Sequence, residues 1–309
     1  DFTNAFITTW KTDNSGSSAS NQITIPTSGS GYNYTIDWGD GNVEADLTGD
    51  TTHTYASEGT YTVKIIGNFP QIYFCGGGDV QKILTVEQWG TNQWGSMHCS
   101  FAYATNLTIP ATDAPDLSNV TDMDLMFFGA TSFNQPIKHW DTSNVESMAA
   151  LFSNASSFNQ SLDNWNVENV ADMTQMFHEA SAFNGGLSGW QTNSLTDMVA
   201  MFYQATSFNQ PINNFNVSGV TDMQSVFYEA TLFNQPLNNW DVSNVTNMEY
   251  TFYEAAAFNS DTSTWNTGNV TTMYRMFSHA TAFNQPLNNW NVGNVTVMDK
   301  MFAGATAFN

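Results

Sequence analysis

The segment ATAFNQPLNNWNVGNVTVMDKMF, residues 280–302, is the fullest copy of a unit that recurs along the chain at a fixed period. The repeats run from about Leu117 to the end of the sequence without an insertion or deletion. A Phe followed by Asn marks every copy, at Phe133, Phe158, Phe183, Phe208, Phe233, Phe258, Phe283 and Phe308. Fixed periods of this length are typical of proteins in which stacked repeats share one continuous core.

Each unit carries an apolar pattern that predicts a short helix. Val245, Met248, Phe252 and Ala255 recur at the spacing of one helix face, and equivalent residues occupy the other copies. The Asp or Asn that often precedes the Met suits the positively polarised start of a helix. We therefore expect one short helix in every repeat.

A second pattern predicts a strand. Phe-Asn-Gln-Pro is a turn signal, and Leu237, Trp240 and Val242 after it have the spacing of a leucine-rich-repeat strand. The Trp position is held by Trp140, Trp165, Trp190, Trp240, Trp265 and Trp290, with Phe215 substituting once. The fold class that follows is an α/β solenoid of 25-residue LRR-like repeats, with one short strand and one short helix per coil.

The first part of the chain does not follow the period. Residues 31–41 alternate apolar and polar side chains before a Gly-Asp-Gly turn, and residues 53–65 have the pattern of a turn and a strand. We expect an all-β sandwich over residues 1–67 and a divergent capping coil over residues 68–116. Residues 117–309 then hold about 7.7 repeats, the last one incomplete.

The charge balance excludes several classes of partner. Six Lys and Arg stand against 28 Asp and Glu, a formal net charge of −22. Nucleic acids and anionic membrane surfaces both require cationic protein groups, so neither is expected as a partner. The sequence has no apolar run of about 18 residues, so we also expect no membrane span.

Asparagine is the one polar residue that every repeat keeps. Asn134, Asn159, Asn184, Asn209, Asn234, Asn259, Asn284 and Asn309 follow the fixed Phe in turn. We interpret them as a structural ladder in which each amide bonds to the neighbouring repeat. A ligand or metal role is the alternative, although amides without carboxylates bind cations poorly.

Two exposed surfaces are candidates for recognition. The first is a stripe of aromatic and acidic residues, Phe128, His178, Tyr203, Tyr228 and Tyr253 with Glu179, Gln204, Glu229 and Glu254. The alternative is that these rings only cover the seam between repeats. The second surface is formed by Asp141, Asn166, Asn216, Asp241, Asn266 and Asn291, which would bind a glycan or a cation.

Chemical motifs are few. Asp37, Asp40 and Asp46 are weak calcium candidates near the Gly-Asp-Gly turn, which a hairpin also explains. Cys75 and Cys99 either form a disulfide or remain as two buried thiols. No resident cofactor, catalytic residue or metal motif is indicated.

The repeat unit 280–302, together with residues 86–90 and Trp94 as a lead-in, resembles the BspA-like bacterial surface proteins, also described as a Mycoplasma lipoprotein-associated repeat. The segments Asp37–Gly41 and His53–Val63 are similar to the PKD domain, an Ig-like extracellular sandwich, although the usual Trp-Asp-Phe-Gly-Asp-Gly is altered here. The resemblance implies a secreted or surface-anchored bacterial protein that adheres to other proteins and carries no catalytic residues.

Three functions remain open at this level. The first is an extracellular adhesion or protein-recognition module, the second a carbohydrate-binding module of a larger secreted protein, and the third a structural spacer in a surface fibre. The sequence has no initiator Met and stops within a repeat, so we expect either a longer native chain or end-to-end self-association through Phe308 and Asn309.

Overall fold

The regular strands lie before residue 89 in the computed structural model, which describes all 309 residues. They are β1 (Phe6–Lys11), β2 (Gln22–Ile25), β3 (Asn33–Asp37), β4 (Val43–Leu47), β5 (Thr51–Thr54), β6 (Thr60–Asn68) and β7 (Ile83–Gln88). Alternation of side chains explains them: in β3, Tyr34 and Ile36 are buried while their neighbours are not.

The strands form two antiparallel sheets. The larger has the order β4-β3-β6-β1-β7, and β2 pairs with β5 in the smaller one. Ile65 of β6 lies opposite Ile36 on one side and Phe6 on the other, so three buried side chains cross the middle of the larger sheet. Ile23 and Ile25 of β2 are buried in the same core.

Strand β7 joins the segment predicted as a capping coil to the N-terminal sheet. It pairs antiparallel with β1, with Ile83 opposite Trp10. The same segment also continues into the repeats, because the N–H of Met97 donates to the carbonyl of Asp122 at 3.0 Å. Residues 68–116 therefore contact both the N-terminal sheet and the repeat region.

The predicted α/β solenoid is wrong: the chain contains no helix, and none of the seven strands lies in the repeats. The backbone N–H groups explain why. Those of Met223, Ser225 and Phe227 donate to carbonyl groups of the next repeat, whereas those of Val226 and Tyr228 donate three residues back. An α-helix needs every N–H to bond within the same segment, so this pattern forms successive turns instead.

Two left-handed residues in each repeat also prevent a helix. Ser225 has φ 57° and Glu229 has φ 52°, and the equivalent residues of the other repeats have similar values. A right-handed helix cannot include such residues. Turns of this kind still place Met223, Phe227 and Ala230 in the core, which is why their spacing resembled that of a helix face.

The predicted strand is also absent from the repeats. The structure has a turn at Asn238 and Asn239, between Leu237 and Trp240. Parallel pairing is reduced to isolated bridges between single residues of adjacent repeats, such as Asp122 with Ser147 and Ser147 with Asp172. The apolar spacing in this segment therefore marks buried positions without a strand.

Columns of aromatic rings form the core of the repeats. Phe227 lies 5.6 Å from Phe202 and 5.4 Å from Phe252, with near-parallel rings. Phe233 forms a second column and lies 4.2 Å from Phe227. Because like residues of successive repeats lie over one another, a side chain at a given position of the repeat meets its counterparts on both sides.

Candidate functional site

Four rings of the predicted stripe form one stacked column on the surface. The centroid distances are 4.5 Å from His178 to Tyr203, 4.4 Å from Tyr203 to Tyr228 and 4.6 Å from Tyr228 to Tyr253. All four residues are half-buried. We call these four residues the ring column.

The left-handed residue after each ring sets this spacing. The N–H of Glu229, directly after Tyr228, donates to the carbonyl of Tyr253 at 2.7 Å. The same bond joins Gln204 to Tyr228, which keeps successive ring positions in line. The column is thus a consequence of the backbone bonds that hold adjacent repeats together.

Phe128 is not part of the ring column. Ser153 occupies the equivalent position of the next repeat, so no ring follows Phe128 there. Instead Phe128 packs edge-on against Tyr103 at 5.1 Å. The sequence interpretation missed Tyr103, which is 47% exposed. Tyr103 is a left-handed residue with φ 63° and corresponds to Gly129 in the next coil, so it does not hold the ring position of Phe128.

A shallow groove of about 430 Å³ opens beside these two rings. Its walls include Tyr103, Phe128, Asn154 and Glu179. Gly129 is required at its base, because a Cβ there would lie 2.7 Å from the Tyr103 ring and the residue has φ +66°. The groove combines aromatic surface with amide and carboxylate groups.

Three Glu residues and one Gln of the stripe run alongside the ring column. Glu179, Gln204, Glu229 and Glu254 are half-buried, and the Nε2 of Gln204 donates to Oε2 of Glu229 at 2.8 Å. We call these four residues the acidic row. They are held in place by the left-handed backbone described above.

Burial and these carboxylates shift the titration of the rings. Burial raises the pKa of Tyr203, and the nearby charge of Glu229 raises it further. Burial likewise raises the pKa of Tyr228. The pKa of His178 is lowered because burial disfavours its charged form, an effect that Glu179 opposes. The hydroxyl groups of the column therefore stay protonated at neutral pH.

Further residues missed by the sequence interpretation extend the aromatic surface. Tyr250 lies 5.6 Å from Tyr253 and 5.2 Å from Tyr274, edge-on in both cases. The guanidinium of Arg275 lies 5.4 Å from the centre of the Tyr274 ring. These residues occupy positions that are not aromatic in most repeats, so periodicity gave no signal for them.

The geometry determines what the ring column can offer a ligand. Because the faces of Tyr203 and Tyr228 are covered by neighbouring rings, they are not free for stacking. The exposed parts are ring edges, hydroxyl groups and the adjacent carboxylates. Such a surface suits contact with another macromolecule and is a poor platform for a flat sugar ring.

The second predicted surface is made of turn residues. The side-chain oxygens of Asp141, Asn166, Asn216, Asp241, Asn266 and Asn291 each accept the N–H two residues later. Hydrogen bonds from Ser243 lower the pKa of Asp241. All six residues are exposed, with one oxygen of each already engaged in its turn.

The Asn that follows the fixed Phe of each repeat forms a continuous chain of hydrogen bonds. Each Oδ1 from Asn134 to Asn284 accepts the backbone N–H of the equivalent Asn in the next repeat. Most of these Asn residues are exposed, so the chain of hydrogen bonds runs along the surface. Their contacts link adjacent repeats.

The calcium candidates are not brought together. Asp37 pairs with Lys64 at 3.3 Å, Asp40 pairs with His53 at 2.8 Å, and Asp46 is an exposed left-handed residue. The carboxylates of Asp37 and Asp40 are thus already paired, with Lys64 and His53 respectively.

Cys75 and Cys99 are joined by a disulfide, with Cα atoms 4.6 Å apart. This bond joins two parts of residues 68–116, one between β6 and β7 and one after β7. The structure contains no helix of the length and apolar character that a membrane crossing requires.

Comparison with protein families identifies both parts of the chain. Residues 12–68 match the PKD domain. Residues 95–215 and 204–309 match the family described as Mycoplasma protein of unknown function, DUF285. The predicted order of a PKD domain followed by a Mycoplasma repeat family is thereby confirmed.

The comparison with curated proteins and the comparison with solved structures found no match. The two family matches together suggest a module of an extracellular surface protein. Since the repeat-family matches run over residues 95–309, well over half of the sequence, the chain belongs to the Mycoplasma protein family of unknown function DUF285.

Proposed function

We propose that this chain is a non-catalytic recognition module of the BspA-like type on a bacterial surface, and that it binds basic segments of extracellular proteins through the ring column and the acidic row. The observation that carries the proposal is the continuous stack from His178 to Tyr253 with Glu229 and Glu254 beside it. Aromatic residues supply contact area with little loss of conformational entropy, which suits recognition.

The charge of the chain supports a basic partner. With a net charge of −22, the protein attracts cationic surfaces over a distance of about 8 Å at physiological salt. Carboxylates next to protonated Tyr hydroxyls offer acceptors and donors to Lys and Arg side chains. We therefore expect binding that weakens as the salt concentration rises.

The test is a binding measurement on a panel of purified basic and acidic extracellular proteins. Replacing Tyr203, Tyr228 and Tyr253 together by Ser should weaken binding to the basic members at least about tenfold, because the stack and its contact area are lost. The same three residues replaced by Phe keep the stack and should retain most of the affinity.

A control on the second surface checks specificity. Asn166, Asn216 and Asn266 replaced by Ser keep a hydroxyl acceptor for their turns and should leave binding unchanged. Equal binding by the wild-type protein and a correctly folded triple Ser variant would contradict the proposal. Salt-independent binding would contradict the electrostatic part.

One observation favours a second candidate, carbohydrate binding. The groove beside Tyr103 and Phe128 places exposed aromatic surface next to Asn154 and Glu179. Aromatic rings beside amide and carboxylate groups are suited to hold a sugar. Saturable binding on a glycan array that is lost in Tyr103→Ala would favour this function, whereas self-association without any ligand would favour the structural spacer.

A further inference from the structure

Three potential metal ligands converge where the repeats begin. One ligand atom each from His98, Asp122 and Asp124 lies within 4.8 Å of the other two. We call these residues the His98 cluster. It lies apart from the ring column, and the proposed recognition function does not use it.

Backbone contacts hold the cluster together. The N–H of Met97 donates to the carbonyl of Asp122 at 3.0 Å, and the N–H of Cys99 donates to that of Asp124 at 2.9 Å. These two hydrogen bonds lie on either side of His98 and hold it next to the segment that carries both carboxylates. The disulfide from Cys99 to Cys75 restricts the same segment further.

Each carboxylate has one oxygen engaged and one free. Oδ1 of Asp122 accepts the N–H of Asp124 at 2.8 Å. Oδ1 of Asp124 accepts the hydroxyl of Ser147 at 2.5 Å and the N–H of Ala149 at 2.7 Å. Hydrogen bonds of this kind orient carboxylates that bind metals. They leave Oδ2 of both residues available.

The histidine offers a matching nitrogen. Nδ1 of His98 is a buried atom that makes no hydrogen bond, and it lies 3.3 Å from Oδ2 of Asp122. Two ligands of a tetrahedral zinc ion are about 3.3 Å apart, given bonds of about 2.0–2.1 Å. The spacing of His98 and Asp122 therefore suits a shared ion, and the ligand atom of Asp124 lies within 4.8 Å of both.

No Lys or Arg side chain forms an ion pair with these carboxylates. The Lys residues that form ion pairs do so with Asp13, Asp37 and Asp79, all outside the cluster. The ligand atoms of Asp122 and Asp124 lie within 4.8 Å of each other, so two like charges are held close together. A divalent cation would relieve this repulsion.

The contacts of His53 are those of a simple ion pair and differ from those of His98. His53 faces Asp40 through Nε2 and Glu44 through Nδ1, so its two acids lie on opposite sides of the ring. In the His98 cluster both acids lie close to the same histidine ligand atom. Only the second arrangement can chelate one ion.

We propose that the His98 cluster binds a divalent transition-metal ion of the zinc type, through Nδ1 of His98 and one carboxylate oxygen each of Asp122 and Asp124. Water completes the coordination. The sulfur atoms of Cys75 and Cys99 also lie near His98, but they are bonded to each other and do not act as ligands.

The test is isothermal titration of the full chain, freed of metal by a chelator and kept oxidised, with ZnCl₂ at neutral pH. We expect one ion per chain in the wild-type protein. His98→Gln and Asp124→Asn should each weaken binding at least about tenfold, in line with the loss of a ligand. His139→Gln removes an exposed histidine elsewhere and should bind as the wild-type protein does.

Three results would overturn the proposal: no saturable binding to the wild-type protein, undiminished binding to His98→Gln, or binding only after the disulfide is reduced. A second measurement does not depend on the variants folding. With Co²⁺ in place of Zn²⁺, the wild-type protein should show a visible spectrum of nitrogen and oxygen ligation without a thiolate charge-transfer band. A thiolate band would assign the ion to the cysteines and contradict the ligand set.

Discussion

Lys82 and Asp79 are both completely buried, with Nζ of Lys82 3.8 Å from Oδ1 of Asp79. The ammonium group also donates to the carbonyls of Ser18, Ala19 and Gln22. Asp79 in turn accepts the N–H groups of Ser18 and Thr24. This pair therefore joins the segment before β7 to the loop that precedes β2.

Replacing Lys82 by Met should destabilise the protein strongly. The substitution leaves the Asp79 carboxylate buried without its cation, which typically costs about 3–5 kcal/mol. The free energy of unfolding in urea, followed by Trp fluorescence, measures the loss.

Lys11→Met is the matched control for this prediction. Lys11 pairs with Asp13 at the surface, where the side chain is 45% exposed, so its loss should cost about 0–1 kcal/mol. Equal effects of the two substitutions would show that the buried pair contributes little to stability.

Asn209 tests the chain of hydrogen bonds between repeats. Its Oδ1 accepts the N–H of Asn234 at 2.9 Å and Nε2 of Gln235 at 3.1 Å. Asn209→Ala removes both acceptor contacts and should lower the free energy of unfolding by about 1 kcal/mol. Asn209→Asp keeps the acceptor oxygen and should cost clearly less. The idea fails if the two variants unfold at the same urea concentration.

Much of the repeat packing is predictable from the sequence, because like positions in successive repeats meet. The Phe and Met positions are buried in nearly every copy, as their period indicates. The helix was wrongly predicted because half of the N–H groups around Met223 and Phe227 bond to the next repeat. Such bonds join residues far apart in sequence, and local apolar spacing does not distinguish them from helical ones.

Whether a candidate site could be predicted from the sequence also depended on the repeat period. The stripe could be found because its members recur once per repeat. Tyr103 could not, because it corresponds to Gly129 and holds a ring where the repeats have no aromatic residue. The face-to-face stacking of the rings depends on left-handed residues such as Glu229. Residue type alone does not predict this conformation for Glu. The His98 cluster joins equivalent segments of two successive coils, but a His directly after the Met occurs in no other copy, so periodicity carried no signal for it.

Phe215 tests the role of the Trp position. Four neighbouring Trp side chains, at positions 165, 190, 240 and 265, each donate from Nε1 to a backbone carbonyl of the preceding repeat. Phe215 stacks on Trp190 at 5.9 Å but has no such donor. Phe215→Trp would place an indole N–H near the carbonyl of Leu187 and should stabilise the protein by about 1 kcal/mol.

Trp240→Phe is the reverse change and should destabilise by a similar amount, since it leaves the carbonyl of Ile212 without the indole donor. Both variants are measured by urea denaturation. A lower midpoint for Phe215→Trp would show that the site has no room for the larger ring and that the hydrogen bond does not form.

Ser225 tests whether the left-handed positions carry strain. It has φ 57° and its own N–H donates to the carbonyl of Glu249 in the next repeat, so the backbone cannot relax. L-residues other than glycine pay roughly 1–2 kcal/mol in this conformation, whereas glycine adopts it readily. Ser225→Gly should therefore raise the free energy of unfolding by about 0.5–1 kcal/mol. The gain is smaller than the strain relieved, because glycine also makes the unfolded chain more flexible. Ser225→Val adds a β-branched side chain to the same backbone and should destabilise the protein. If glycine lowers stability as it does in an ordinary helix or strand, the turn geometry proposed for the repeats is incorrect.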